Sequence, residues 1–294
     1  MHNPSRRHFL RLGAAAVAAA SLPAYAAKRS ATDLVTLGRT GVKVCRLAFG
    51  TGTFGGRVQR ELGQDQFTRL VRYAYDQGIR FFETAESYQG MPQMLAIALK
   101  GIPRDSYQLM TKHRIREGVD PKAAVERFRS DLNTDYFDIL LMHCMRSPRW
   151  PDETKRVQDA FSEAKQKKMV LAHGASVHGL PALAPFPSMT DWLDVTLMRV
   201  NHNGARMDTP HQQESPERGD VNQVFATAQK LHKAGTGILG MKLIGEGQFT
   251  NIEDREAAMK YVLKSGCVDA MTIGYKNTAE IDESMKRVNR LLNA

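Results

Sequence analysis

Three side chains capable of acid–base chemistry each follow a short apolar run in this sequence. They are Glu83, Lys112 and His143, and Tyr88 lies five residues beyond Glu83. The three runs are residues 79–82, 107–111 and 137–142. Each run has strand length and precedes a helical pattern, so the strands should be parallel with their carboxyl ends at one face. The sequence thus predicts a carboxylate, an amine, an imidazole and a phenol at that face.

These four groups together could protonate a carbonyl oxygen. The Lys112 ammonium would stabilise a phenolate and lower the pKa of Tyr88, and Glu83 would hold and orient the lysine. The tyrosine could then protonate an alkoxide as it forms, while His143 orients the carbonyl through a hydrogen bond. A hydride source is missing from this set, and because side chains cannot supply one, a cofactor must.

Eight apolar runs alternate with amphipathic segments along the chain. The predicted strands are residues 46–52, 79–82, 107–111, 137–142, 170–176, 194–200, 237–244 and 269–273. The predicted helices are residues 64–77, 92–100, 120–132, 153–169, 221–234, 254–264 and 278–292. A hairpin with a Gly-containing turn precedes them at residues 34–45. This order predicts an α/β fold, a (β/α)8 TIM barrel with an N-terminal β-hairpin, in which residues 33–294 form one domain.

Two connections break the regular pattern. Residues 179–186 are a poor helix because prolines interrupt them. Residues 201–220 form a long polar segment, and a connection of this length without regular structure is usually functional or disordered.

Residues 1–26 have the pattern of an export signal. The run SRRHFL resembles a twin-arginine motif, an alanine-rich apolar stretch follows it, and a small-x-small site ends at Ala26. An amphipathic N-terminal helix is the alternative, and the apolar stretch is too short to span a bilayer well. We therefore expect the twin-arginine translocation machinery to carry the folded protein to the periplasm. Cleavage should follow Ala26, with no stable membrane insertion afterwards.

The charge of the chain favours a basic, solvated surface. The formal net charge is +10, and removing the three arginines of the signal leaves +7. No basic stripe with interleaved aromatic residues is present, so we expect no nucleic-acid partner. An anionic ligand such as a nucleotide is compatible with this surplus of positive charge.

The cysteines and histidines do not have metal-ligand spacing, and we predict no metal site. Cys45 and Cys267 lie in or beside apolar runs and are expected in the core. Cys144 follows His143 and is a candidate to line the site. One disulfide is possible, but the sequence does not place it.

Five motifs resemble the aldo-keto reductases, over residues 34–292. They are LGRTGVKV, FGTGTFGG, FFETAESY, MTKH and YFDILLMH. The resemblance implies reduction of an aldehyde or ketone to an alcohol with NADPH or NADH. Tyr88 would be the general acid, Lys112 its partner that lowers the pKa, and His143 the residue that orients the carbonyl. Glu83 stands where the family has an aspartate, which lengthens the carboxylate by one methylene.

The resemblance also suggests residues that contact the cofactor. Ser176 would hold the nicotinamide amide, although Val177 replaces the family's asparagine after it. Asn201 and Asn203 end the sixth strand, where the family's glutamine and stacking tyrosine are not recognisable. The remaining candidates lie after the seventh and eighth strands: Lys242, Gly245, Gly247, Gly274, Lys276, Asn277 and Glu283. Glu280 takes the family's arginine position, so a preference for the 2′-phosphate of NADP rests on Lys276.

Two other functions compete with an exported carbonyl reductase. The substitutions at Glu83 and Val177 and the missing tyrosine suggest a nucleotide-binding or regulatory barrel with weak or no catalysis. The second competing function is that of an exported barrel that binds a sugar or another metabolite without redox chemistry. Glu83 and Lys112 could also form a purely structural ion pair.

Overall fold

The computed structural model describes residues 28–213 and 215–294, so the predicted signal peptide and its cleavage after Ala26 lie outside them. Eight parallel strands close into a barrel, in which each strand pairs with the next along the chain and the last pairs with the first. The barrel strands are β3 (Leu47–Gly50), β4 (Phe81–Glu83), β5 (Gln108–His113), β6 (Phe137–Met145), β7 (Val170–Val177), β8 (Val195–Arg199), β9 (Gly237–Met241) and β10 (Ala270–Gly274). This confirms the predicted α/β TIM barrel.

Helices follow the strands and form the outer layer. They are α1 (Arg57–Arg60), α2 (Gln64–Asp76), α3 (Met91–Leu99), α4 (Pro121–Asp131), α5 (Trp150–Glu153), α6 (Lys155–Gln166), α7 (Leu180–Leu183), α8 (Val221–Lys233), α9 (Ile252–Ser265) and α10 (Thr278–Leu292). Four of these helices have an N-cap residue whose side chain accepts a hydrogen bond from a backbone amide of the first turn. The N-cap residues are Asp120, Asp220, Asn251 and Asn277.

The predicted N-terminal hairpin closes one end of the barrel. Its strands β1 (Leu34–Thr36) and β2 (Lys43–Cys45) pair antiparallel. Leu37 and Val44 of this hairpin pack with the inward side chains of the barrel strands. A Cβ at Gly38 would lie 2.2 Å from the carbonyl oxygen of Gly235, so only glycine permits this close approach. The opposite end, at the carboxyl ends of the strands, stays open for ligands.

Strict alternation along each strand decides which side chains enter the barrel. On β6, Ile139 and Leu141 belong to the inner cluster, whereas Leu140 and Met142 pack outward against the helices. Successive strand residues point to opposite faces, so the next inward position is His143.

The same rule applies to the neighbouring strands. Met110 is inward on β5, which makes Lys112 the next inward residue, and Phe81 is inward on β4, which makes Glu83 the next. The pairing of β4 with β5 and of β5 with β6 then brings the three polar ends together.

The structure differs from the prediction at several element boundaries and in one additional helix. The strand predicted at 237–244 ends at Met241, because Lys242 takes a left-handed conformation with φ 60°. The helix predicted at 153–169 splits at Thr154 into α5 and α6. The short helix α1 was not predicted in the glycine-rich segment after β3.

The segment 201–220 contains no helix or strand in its described part, residues 201–213 and 215–220. It is nevertheless anchored, because Asn201 and Asp208 are completely buried. Asp208 accepts a hydrogen bond from the Gly179 amide at 2.7 Å. The segment therefore forms a fixed part of the wall around the open end of the barrel.

Within the described residues, no helix is both long and apolar enough to cross a membrane. The same part of the chain has no cluster of three or more metal-ligating His, Cys, Asp or Glu residues. The three cysteines are free.

Candidate active site

A buried ion pair lies at the open end of the barrel. Lys112 Nζ donates to Glu83 Oε1 and also to the carbonyl oxygen of Thr84, at 2.8 Å. Thr272 Oγ1 on β10 donates to the other carboxylate oxygen of Glu83 at 3.3 Å. Both side chains of the pair are at most 5% exposed. Glu83, whose side chain is one methylene longer than the aspartate that the resemblance implies, thus forms the ion pair with Lys112.

Tyr88 and His143 lie beside this ion pair. Their rings meet edge to face, with centroids 5.5 Å apart and planes at 86°. Lys112 Nζ lies 4.9 Å from the centre of the Tyr88 ring. A Cβ at Gly52 would lie 2.5 Å from the Tyr88 hydroxyl, so a glycine is needed for the hydroxyl to occupy this position. The structure brings all four predicted acid–base residues together.

The electrostatics of Tyr88 differ from the sequence-based prediction that Lys112 lowers its pKa. Burial raises the pKa of Tyr88 well above its ordinary value, and the negative charge of Glu83 adds to the increase. Glu83 pairs with Lys112, whose own pKa is lowered by burial. Tyr88 is therefore protonated at neutral pH and can donate its proton to a group as basic as an alkoxide.

His143 is held as a neutral imidazole. Burial and then the charge of Lys112 lower its pKa well below the ordinary value. Its Nδ1 lies 3.0 Å from the hydroxyl oxygen of Ser87. A hydroxyl that donates to Nδ1 leaves the proton on Nε2, and this tautomer can donate to a carbonyl oxygen. Sequence analysis missed Ser87, although its position directly before Tyr88 was a signal.

We expect Ser87→Ala to lower kcat for carbonyl reduction several-fold and to leave KM nearly unchanged, because the tautomer of His143 is no longer fixed. Ser87→Thr, which retains the hydroxyl, should restore most of the loss. Steady-state kinetics of the two variants at equal thermal stability provide the measurement. Equal kcat values for Ser87→Ala and the parent protein would contradict this role.

A cavity of about 480 Å³ runs from Tyr88 to the start of α10. Several predicted cofactor residues line it: Lys242, Gly247, Gly274, Lys276 and Glu283. Two of its lining residues must be glycine because the protein packs closely around them: a Cβ at Gly274 would meet Thr53 Oγ1 at 2.2 Å, and one at Gly50 would meet Thr272 Oγ1 at 2.5 Å.

At the far end of this cavity the charged groups are already paired. Glu280 accepts a hydrogen bond from the Lys276 amide at 2.9 Å, and its other oxygen lies 3.7 Å from Lys276 Nζ. Glu283 accepts from Arg255 Nε at 2.9 Å. Asn277 caps α10 by accepting from the Glu280 amide at 3.0 Å. A nucleotide phosphate here would have to compete with these carboxylates for the cations.

Two predicted cofactor residues lie behind the cavity wall, which corrects their assignment. Asn201 is completely buried, and its amide group donates to the carbonyl oxygens of Ala205 and Lys242 and accepts from the Gly204 amide at 2.9 Å. Gly245 is buried beneath Phe249. Because the side chain of Asn201 is used to fold the loop, we assign it to loop structure.

A second cavity of about 340 Å³ meets the first at Tyr88. Ser176 lines it and accepts a hydrogen bond from the Cys144 amide at 3.0 Å. Arg199 and Arg206 also line it, and sequence analysis missed both. The alternation of side chains along β8 predicts an inward position for Arg199, because Val195 and Leu197 of the same strand point inward.

The fold and the site define a class of protein: a (β/α)8 barrel with a protonated tyrosine, a neutral histidine and a buried lysine–carboxylate pair at its open end. The aldo/keto reductase family model matches residues 46–291. Because this match covers most of the chain, the protein belongs to the aldo/keto reductase family. The twin-arginine translocation signal model matches residues 3–23.

Known proteins resemble this chain in part of its sequence and in fold. L-galactose dehydrogenase of Arabidopsis thaliana is 36% identical over 38% of this chain and 37% of its own length. Aldo-keto reductase YhdN of Bacillus subtilis is 27% identical over 46% of this chain and 43% of its own. The matches thus span less than half the length of these relatives. An aldo-keto reductase of Klebsiella pneumoniae solved with NADPH has a TM-score of 0.64 at 16% identity, covering 89% of this chain and 90% of its own.

Proposed function

We propose that this protein is a carbonyl reductase that uses NADPH or NADH to convert an aldehyde or ketone to an alcohol. The observation that carries the proposal is the convergence of Tyr88, His143 and the Lys112–Glu83 pair where two cavities meet. One cavity could hold a nucleotide and the other a substrate.

Each of the four residues has a separate task in the proposed reaction. His143, neutral and protonated on Nε2, donates a hydrogen bond that orients the carbonyl oxygen. Tyr88 transfers its hydroxyl proton to that oxygen as negative charge develops on it. Lys112 stabilises the phenolate left behind, and Glu83 fixes the lysine in position. A bound nicotinamide nucleotide supplies the hydride.

The residues along the larger cavity fit a dinucleotide. Lys242 and Lys276 line it and supply positive charge for phosphate groups. The cavity ends beside the N-terminus of α10, whose amides favour a phosphate group. Among the predicted contacts, we propose Gly247, Gly274 and Glu283 for the nucleotide, and Ser176, which lines the smaller cavity next to Tyr88, for the nicotinamide end where the two cavities meet. Both NADP and NAD remain candidates.

The twin-arginine signal at residues 3–23 favours export of the folded protein. We infer that residues 1–26 are removed and that the domain of residues 33–294 works in the periplasm. This space has no ready pool of reduced nicotinamide nucleotide, so the cofactor would bind before export and leave slowly. A bound nucleotide would also stabilise the folded state by mass action.

Purification of the mature protein from the periplasm tests this proposal. We expect mass analysis to find a bound nicotinamide nucleotide, calorimetry to show binding of NADPH or NADH, and simple aldehydes to be reduced. Binding without reduction would contradict the proposal and support the regulatory barrel. If neither nucleotide binds, the metabolite-binding alternative gains support.

A further inference from the structure

Glu86 is a carboxylate in the segment that connects β4 to α3, two residues before Tyr88. Its side chain is 5% exposed, and the proposed reaction does not use it. Oε1 accepts hydrogen bonds from His113 Nδ1 at 2.9 Å and from the Arg114 amide at 2.6 Å. Oε2 accepts from the guanidinium of Arg127 on α4 at 2.6 Å. The carboxylate therefore joins the segment that carries Tyr88 to the end of β5 and to α4.

The contact between Glu86 and His113 is fixed by its surroundings. Burial alone would raise the pKa of Glu86, but the hydrogen bond from His113 and the other donors hold it below the ordinary value. The ionised carboxylate only accepts hydrogen bonds, so His113 carries a proton on Nδ1. The imidazole packs against Phe128 and Phe161, whose ring centroids lie 5.5 and 6.3 Å from its own. Because this packing restricts rotation of the ring, Glu86 keeps a fixed partner on β5.

Backbone hydrogen bonds tie the same segment to β5. The Thr84 amide donates to the carbonyl oxygen of Met110 at 2.9 Å, and the Glu86 amide donates to that of Lys112 at 3.2 Å. Lys112 Nζ also donates to the Thr84 carbonyl oxygen, at 2.8 Å. The side chain of Glu86 extends this series of contacts to His113, immediately before the chain reaches the next two residues of the proposed site.

Those two residues, Ser87 and Tyr88, both contact His143. The Ser87 hydroxyl oxygen lies 3.0 Å from His143 Nδ1, and the Tyr88 ring meets the imidazole edge to face. A shift of the backbone at Glu86 would therefore displace the hydroxyl and the phenol together, relative to Lys112 on β5 and His143 on β6. A misplacement of about 1 Å in an active site can reduce the rate about 100-fold.

We propose that Glu86 is a positioning residue for the general acid, because its side chain anchors to β5 the backbone from which Tyr88 reaches the carbonyl. The inference rests on the proposed function and deepens it, since it identifies what holds the proton donor in place relative to Lys112. A carboxylate that only stabilises the fold is the alternative. Its removal would lower stability and leave the rate of the chemical step unchanged.

Glu86→Ala removes both carboxylate oxygens. We expect kcat for aldehyde reduction to fall about 10- to 100-fold because the phenol is displaced, whereas KM and the affinity for NADPH and NADH stay close to the parent values. Glu86→Gln keeps an oxygen that can still accept from His113 and the Arg114 amide, so it should recover most of the lost kcat. Steady-state kinetics and calorimetry provide these quantities. A parent-like kcat in Glu86→Ala, or no recovery in Glu86→Gln, would overturn the proposal.

Asp138→Ala is the matched control, because Asp138 makes similar contacts at the opposite end of β5. Its side chain is 10% exposed and accepts from the Leu109 amide at 2.8 Å and from the guanidinium of Arg104 at 2.7 Å. It lines neither of the described cavities. Asp138→Ala should lower the thermal midpoint about as much as Glu86→Ala and leave kcat unchanged. An equal loss of kcat in both variants would show a general effect of destabilisation and contradict the proposal.

His113→Leu provides a second variant, which decides the outcome if Glu86→Ala does not fold. It removes the Nδ1 donor but keeps an apolar side chain against Phe128 and Phe161. We expect kcat to fall several-fold, less than in Glu86→Ala, because the Arg114 amide still holds the carboxylate. An unchanged kcat in His113→Leu would contradict the anchoring of Tyr88 through this contact.

Hydrogen–deuterium exchange separates this proposal from the proposed function, because it requires no substrate. The amides of residues 84–91 should exchange faster in Glu86→Ala than in the parent protein, and at the parent rate in Asp138→Ala. Exchange at the parent rate in both variants would overturn the proposal even if aldehydes are reduced. If the parent protein reduces no aldehyde but these amides exchange faster in Glu86→Ala alone, the reductase proposal fails and the anchoring of the segment by Glu86 stands.

Discussion

Tyr88→Phe should lower kcat for aldehyde reduction about 100- to 10,000-fold, the usual contribution of a positioned general acid. The phenyl ring retains the packing against His143, so only the proton is lost. Nucleotide affinity should remain close to that of the parent protein, because the hydroxyl acts on the substrate. Steady-state kinetics and calorimetry on the same preparations provide both quantities.

The pH dependence of kcat/KM is a second test of Tyr88 as the general acid. Burial and Glu83 raise the pKa of Tyr88, so its proton remains available into the alkaline range. In the parent protein kcat/KM should therefore not decline until the pH passes about 10, the ordinary tyrosine pKa. An alkaline decline centred well below this value, or full activity in Tyr88→Phe, would exclude Tyr88 as the acid.

Glu83→Ala should lower the free energy of unfolding by about 3–5 kcal/mol, because it leaves the Lys112 ammonium buried without its carboxylate. Both members of the pair are at most 5% exposed, so water cannot replace the lost partner easily. Activity should also fall, since the lysine is no longer held beside Tyr88. Urea denaturation monitored by circular dichroism measures the change in stability.

Glu83→Asp is the conservative control, which restores the residue that the family resemblance implies. We expect it to retain or raise activity and to unfold near the parent midpoint. If Glu83→Ala were as stable and as active as the parent protein, the ion pair would have no part in supporting the acid. Loss of stability without loss of activity would make the pair purely structural.

Strand alternation made the central part of the site predictable. A period of two along each strand, with the parallel order of β4, β5 and β6, is enough to place Glu83, Lys112 and His143 at one face. The same rule would have placed Arg199 there. Arg199 was not predicted because none of the five family motifs covers β8.

Other properties of the site could not be predicted from the sequence, because they depend on contacts between residues that are distant along the chain. Asn201 was predicted to contact a cofactor, but its amide completes the hydrogen bonds of a tight loop. The pKa of Tyr88 was predicted to fall because Lys112 is near. Burial raises it instead, and the negative charge of Glu83 adds to the increase. Desolvation and pairing of charges are known only once the residues have been placed in three dimensions.

Transfer of deuterium from a labelled nucleotide tests the central claim most directly. NADPH or NADH deuterated at the transferable position of the nicotinamide ring would be mixed with mature protein and an aldehyde, and the alcohol analysed by mass spectrometry. The reductase proposal predicts one deuterium in each alcohol formed and almost no product with Tyr88→Phe. Unlabelled alcohol, no alcohol at all, or equal labelled product from Tyr88→Phe would contradict it.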